Sequence, residues 1–295
     1  MRRIALILGA LLLIGSNIAC CIMPRLPEIE INVPTVQVGE MRDEREEIPL
    51  SGVESATVEL FFGAGELEIA AGDPDLLLSG HFRYNIEQWE PRIDFQNGVL
   101  TIKQGDSDDW GISTGNAHNE WELGFSPDIP LDMDVKVGAG KGRMDLTGLQ
   151  LTTLELDLGA GDFDVRFDEP NQARLERFAL NTGASKLQVR GIGNAGPERI
   201  TVQGGVGDIS LDFTGDWVRS AEVDITAGIG ALTLRLPDDV GVEIQVDGLA
   251  NVETSGLRRS GDVYVNDAFG KAEVELHIQI ATGLGAVKLI QVSND

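Results

Sequence analysis

The sequence predicts an all-β fold, a β-solenoid of stacked coils of about 22–24 residues each. Three observations predict it. A glycine phrase recurs as Val135-Lys-Val-Gly-Ala-Gly-Lys141, Leu156-Asp-Leu-Gly-Ala-Gly-Asp162, Leu180-Asn-Thr-Gly-Ala-Ser-Lys186, Val202-Gln-Gly-Gly-Val-Gly-Asp208 and Ile225-Thr-Ala-Gly-Ile-Gly-Ala231. Its first glycines stand at 138, 159, 183, 205 and 228, giving spacings of 21, 24, 22 and 23. Apolar and polar residues alternate on both sides of each phrase, as in strands, and no useful helical periodicity appears after residue 21. A unit this short buries its apolar face only by stacking on the next.

The N-terminus comes first. Arg2 and Arg3 precede an apolar run from Ile4 to Ile14, shorter than the roughly 20 residues of a bilayer span and suited to a signal-peptide core. Residues 1–20 are therefore expected to be a signal peptide or membrane anchor. Asn17-Ile-Ala-Cys20 resembles a bacterial lipobox, which would make Cys20 a lipidation site, with Asn17 departing from the usual Leu. The basic Arg2 and Arg3 should stay cytoplasmic, placing the body outside and at the membrane. Residues 21–50 hold Pro24, Pro27 and Pro34 and then a charged run from Glu40 to Glu47. They are expected to be a tether, with 35–50 open to joining the body as an edge strand or short helix.

Residues 51–134 are expected to form an N-terminal β region. Val53–Ile69 alternates on both sides of Gly63 and Gly65, and Asn97-Gly98 is a hairpin signal. This region is either a set of irregular early coils or a distinct unit. Residues 135–295 are expected to be the regular coils, with atypical coils at the C-terminal end. The inward positions run from Val135 and Val137 through Leu154, Leu156, Leu158, Phe163 and Val165 to Leu232, Leu234 and Leu236. The phrase decays at Gly248-Leu-Ala250 and recovers at Gly283-Leu-Gly285. The glycines Gly63, Gly65, Gly138, Gly140, Gly159, Gly161, Gly183, Gly205, Gly207, Gly228, Gly230, Gly283 and Gly285 are read as structural, either for positive φ or because a Cβ would strike a neighbouring coil.

These residues carry a resemblance. Glu59-Leu-Phe-Phe-Gly-Ala-Gly-Glu-Leu-Glu-Ile69, with Tyr84-Asn85 and Trp89-Glu-Pro91, resembles the N-terminal domain of the bacterial toast-rack family. Gly230-Ala-Leu-Thr-Leu-Arg-Leu-Pro237 and Gly283-Leu-Gly-Ala-Val-Lys-Leu289 are similar to the C-terminal domain of LiaF-like envelope-stress proteins and of adhesin-like proteins. The resemblance implies a β-rich envelope protein with no catalytic residues to carry over. It also implies a regulatory role of the LiaF type, although those proteins usually follow several transmembrane helices.

Composition narrows the partners. Lys+Arg 23 against Asp+Glu 48 gives a net charge of −25, which repels nucleic acid and anionic lipid. The two cysteines, Cys20 and Cys21, are adjacent, so the body has neither a disulfide framework nor a thiol nucleophile. The glycine phrases lead into strands and not helices, so they are not phosphate-cradling loops. Gly204-Gly-Val-Gly-Asp208 misses the register of a calcium-binding nonapeptide, and Asp106-Ser-Asp-Asp109 lacks the twelfth-position Glu of an EF-hand. His81, His118 and His277 show no ligand spacing. No metal or cofactor is expected.

Tyr84, Trp89, Trp110 and Trp121 cluster where the repeat is least regular. They either fill the core or form a contact surface for a glycan or protein of the envelope. The expectation is a non-enzymatic, membrane-tethered extracytoplasmic protein for binding, adhesion or envelope-stress sensing. The alternatives are a carbohydrate-active enzyme with a carboxylate groove and a purely structural spacer.

Overall fold

The computed structural model describes residues 35–105, 112–113 and 116–294. Residues 35–295 form one compact unit. In chain order its strands are β1 (Thr35–Val36), β2 (Arg42–Pro49), β3 (Ala56–Ala71), β4 (Leu76–Tyr84), β5 (Pro91–Gln96), β6 (Val99–Gln104), β7 (Ile112–Ser113), β8 (Asn119–Phe125) and β9 (Pro130–Asp145). There follow β10 (Gln150–Arg166), β11 (Arg177–Arg190), β12 (Arg199–Asp212), β13 (Ala221–Pro237), β14 (Gly241–Gly248), β15 (Asn251–Ser255), β16 (Arg258–Ser260), β17 (Val263–Val265) and β18 (Glu275–Val292). Among the described residues, helix is confined to single turns at Glu87–Trp89 and Ile192–Ala195. The fold is all-β.

The long strands stack in parallel in the order β3-β9-β10-β11-β12-β13-β18. The connector 146–149 carries the chain from Asp145 back to Gln150, and five residue steps reach at most roughly 17 Å. A straight strand of 16 residues would run about 53 Å. Each long strand must therefore fold back on itself, and it does so at its glycine phrase. The two halves are called here the first and second arm, and the core lies between them.

Burial shows the turn. In β10 the inward residues are Leu154, Leu156 and Leu158 before the phrase, then Phe163 and Val165 after it. The step from Leu158 to Phe163 is odd, where a regular strand keeps an even step on one face. The same odd step separates Phe62 from Leu67 and Thr182 from Leu187. Without it the second arm would turn its apolar side to water. All the inward positions named above are buried, each aliphatic contributing about 1.5–3 kcal/mol relative to exposure.

Two glycines in β10 show what the corner demands. A Cβ on Gly159 would lie 2.0 Å from the carbonyl oxygen of Gly138 in the coil below. Gly161 has φ +145°, and a Cβ there would lie 1.8 Å from the Gly140 oxygen. The first glycine thus answers to close approach, and the second to close approach and backbone sign together. Register pairs Ala160 with Ala139 and Ala184, so the corners stack directly.

Both ends of the stack are capped by splitting one long neighbour into two short ones. At the N-terminal end the first arm of β3 pairs with β6 and its second arm with β8. β5 closes on β6 through the Asn97-Gly98 turn, whose φ values are +52° and +80°. At the other end β18 pairs with β14 along its first arm and β15 along its second. The chain makes its outermost coil before its last strand, and β18 then slots between that coil and β13. This is why the phrase fades at 248–250 and returns at 283–285.

Two alternatives left open for the N-terminal region are decided by strand pairing. The stretch 21–50 was expected to be a tether, but its part from Arg42 to Pro49 is β2, an antiparallel edge strand on β4. Its charged residues suit an edge that keeps one face in water. Residues 51–134 are continuous with the regular coils, because β3 pairs with β9 from Ala56 to Ile69. The signal or anchor at 1–20 and Cys20 lie outside the described residues, as do Trp110 and the acidic run 106–109.

Candidate functional site

A groove of about 1090 Å³ runs across the outward side of the first arms, beside the corner. Its line of side chains follows from register alone. Lys103 pairs with Phe61, Phe61 with Lys136, and Lys136 with Asp157. Asp157 then pairs with Asn181, Asn181 with Gln203, and Gln203 with Thr226. Each coil thus contributes one outward residue next to an inward core residue, and first glycines such as Gly138, Gly159 and Gly183 form the floor.

One end of the groove is cationic. The Lys103 and Lys136 ammonium groups stand 4.7 and 5.3 Å from the centre of the Phe61 ring, within cation–π range. Arg92 lines the same end. The Lys136 ammonium donates to Asp134, and this bond, helped by the nearby carboxylates and opposed by burial, raises its pKa above the ordinary lysine value. Beyond it the lining is neutral or singly acidic. Asn181 Nδ2 donates to Asp157 Oδ1 at 2.7 Å, and Asp157 is the one carboxylate among the lining residues.

The cationic end is also where the stack is sealed. Gln104 Oε1 accepts from the backbone N–H of Gly63 at 2.8 Å and of Ala64 at 3.2 Å. Asn119 Nδ2 donates to the same Oε1 at 2.9 Å and to the Ala64 carbonyl at 2.7 Å. These two amides replace the coil that would otherwise satisfy the first corner. Nothing in the repeat pattern marks them, because they sit where the repeat stops.

The aromatics expected as contact residues fall elsewhere. Trp121 and Tyr84 are fully buried, a correction to the contact reading. Trp121 makes edge contacts with Phe62 and Phe82, each at 5.1 Å, and Tyr84 donates its hydroxyl to Glu44 at 3.0 Å. They fill the first cap, where no coil below supplies apolar surface. Trp89 is partly buried against the core. The outward aromatic at the groove is Phe61, whose parity beside inward Phe62 was the available signal.

The histidines meet carboxylates and not one another. His81 lies 2.9 Å from Asp43, His118 3.2 Å from Glu120 and His277 3.5 Å from Glu243. Among the described residues no group of three or more His, Cys, Asp or Glu side chains could hold a metal ion. No helix among them is long and apolar enough to cross a membrane. Toward the C-terminal end the corner crest becomes apolar: Val206, Ile229 and Leu284 stand in register and are more than half exposed.

The geometry defines a capped β-solenoid of bent parallel strands with a polar groove on one wall. The family model for the N-terminal domain of toast_rack, DUF2154, matches residues 37–190 and 176–235, and the chain belongs to that family. Among solved structures, a candidate cell adhesion protein from Clostridium sporogenes is 24% identical, with a TM-score of 0.49 over 86% of this chain and 100% of its own. A candidate adhesin from Bacteroides fragilis is 11% identical, with a TM-score of 0.39 over 87% and 99%. A candidate lipid binding protein from Parabacteroides distasonis is 9% identical, with a TM-score of 0.30 over 88% and 99%. No curated protein matches the sequence.

Proposed function

We propose that the chain is a non-enzymatic, adhesin-like binding scaffold displayed outside the cytoplasm, with the first-arm groove as its ligand surface. The groove itself carries this reading. In a chain of net charge −25, one wall holds a line of two lysines, an aromatic, a single carboxylate, two amides and a hydroxyl beside a glycine floor. A glycosidase would need two carboxylates flanking the scissile bond. Asp157, held by Asn181, stands alone among the lining residues, which favours binding over hydrolysis. The N-terminal segment supplies the tether in this reading, through Cys20 lipidation or an uncleaved anchor. The LiaF-like resemblance of the C-terminal coils would add envelope-stress regulation, with groove occupancy as the signal.

The test is cosedimentation of the full chain with washed bacterial envelope fractions, beside Gln203→Trp. Gln203 is exposed and lines the groove, so the indole should obstruct the line there without touching the core. Wild type should pellet with the envelope, and the variant should lose at least most of that binding at an unchanged melting temperature. Equal binding by the two proteins would remove the groove from the account.

A further inference from the structure

We infer that the groove takes a linear glycan bearing sparse carboxylates, laid along the stacking axis; this rests on the groove being the ligand surface. The first argument is direction. The lining side chains come from consecutive strands, so they repeat at roughly 4.8 Å. From Lys103 to Thr226 there are six strand spacings, roughly 29 Å in all. A ligand that uses this line must be elongated and must repeat at a similar step, as pyranose rings joined end to end do.

The second argument is chemistry. Asn181, Gln203 and Thr226 each offer both a donor and an acceptor, which is what sugar hydroxyls require of a partner. An extended peptide binds best by adding to a sheet edge. Here the strands beneath the groove are paired on both sides, so their backbone groups are already used. The floor is glycine, which lets a flat ring approach the backbone.

The third argument is charge. Lys103, Arg92 and Lys136, the last already paired with Asp134, gather at one end, while Asp157 follows one strand beyond Lys136. A carboxylate is therefore favoured at the cationic end and opposed next to Asp157. A polymer charged on every unit, nucleic acid included, fits worse than one charged on alternate units.

The experiment is titration calorimetry of the full chain with hyaluronan oligosaccharides of two to eight sugars, with chitohexaose as the neutral probe and hexaglutamate as the peptide probe. Hyaluronan affinity should rise with length and level off near six sugars. Asn181→Ala should weaken both sugars about fivefold to tenfold, the loss of a hydrogen bond. Lys136→Gln should weaken hyaluronan and leave chitohexaose unchanged. If neither sugar binds while Gln203→Trp still abolishes envelope binding, the glycan inference falls and the groove survives as a site for another ligand class. Tight hexaglutamate binding would likewise overturn the inference in favour of a peptide. If Gln203→Trp leaves envelope binding intact, the groove reading itself has failed.

Discussion

The two arms of each coil have the same inside and different outsides. In β11, Phe178 and Leu180 face the core before the corner, and Leu187 and Val189 face it after. Outward, the second arms carry ion pairs from coil to coil: Lys141 with Glu66 at 3.3 Å, Arg143 with Glu68 at 2.7 Å and Arg235 with Asp212 at 2.9 Å. Arg166–Asp145 and Arg190–Asp164 continue the pattern. Such pairs satisfy one another in water and leave little for a ligand. The first arms hold pairs too, Arg177 with Glu155 at 2.9 Å and Lys136 with Asp134, but their line beside the corner adds two amides, a hydroxyl, Asp157 and an aromatic flanked by cations. The inward face and the corner are what the repeat conserves from coil to coil; the outward face is free to differ, and it differs on one wall.

Perturbing what the arms share should have the largest effects. Gly159→Val places branched carbons where a single Cβ would already lie 2.0 Å from the Gly138 oxygen. It should cost several kcal/mol and abolish the cooperative melt, or lower its midpoint steeply. An unchanged melting temperature would mean that the corners do not hold the arms together. Leu156→Ala on the first arm and Leu187→Ala on the second should each cost about 2–5 kcal/mol in denaturant unfolding, because both side chains are buried in one core. Two separate unfolding transitions would break the single-core description.

A smaller effect belongs to the N-terminal cap. Burial, chiefly, pushes the Tyr84 phenol up to about 12, with the neighbouring Glu44 acting in the same direction and Arg42 against it. Between the ordinary value of 10.0 and about 12 the unfolded chain has lost this proton and the folded chain keeps it. Stability should therefore be complete below pH 10 and fall as pH rises toward 12, and Tyr84→Phe should flatten that fall. A wild-type alkaline profile matching that of Tyr84→Phe would place the phenol in water. The smallest effect should come from the second-arm surface. Arg143→Ala removes a pair whose arginine is 71% exposed, and should cost less than about 1 kcal/mol by thermal melting.

Legibility in the sequence divides along the same line. The corner glycines and the inward residues from Val135 to Leu236 could be read because period-two alternation and a fixed return force them to recur. Strand order at the C-terminal end could not, since nothing local says that β18 inserts between β13 and the outermost coil. The caps were hidden for a related reason. Gln104 and Asn119 each stand in for a missing coil, and a single amide has no period. The groove was missed because its lining residues are unlike one another: Phe61, Lys136, Asp157, Asn181, Gln203 and Thr226 share a register and not a chemistry. Trp121 and Tyr84 drew attention by residue type, but large aromatics are what a small cap uses to fill its core.

The most direct test uses the two outward amides of one strand. Asn181 lies on the first arm of β11 and lines the groove, while Gln188 lies on its second arm and is exposed. Asn181→Trp and Gln188→Trp should melt alike, and envelope cosedimentation of the full chain should fall sharply for the first and stay at the wild-type level for the second. Equal loss, or loss from Gln188→Trp alone, would contradict the assignment of binding to the first-arm wall.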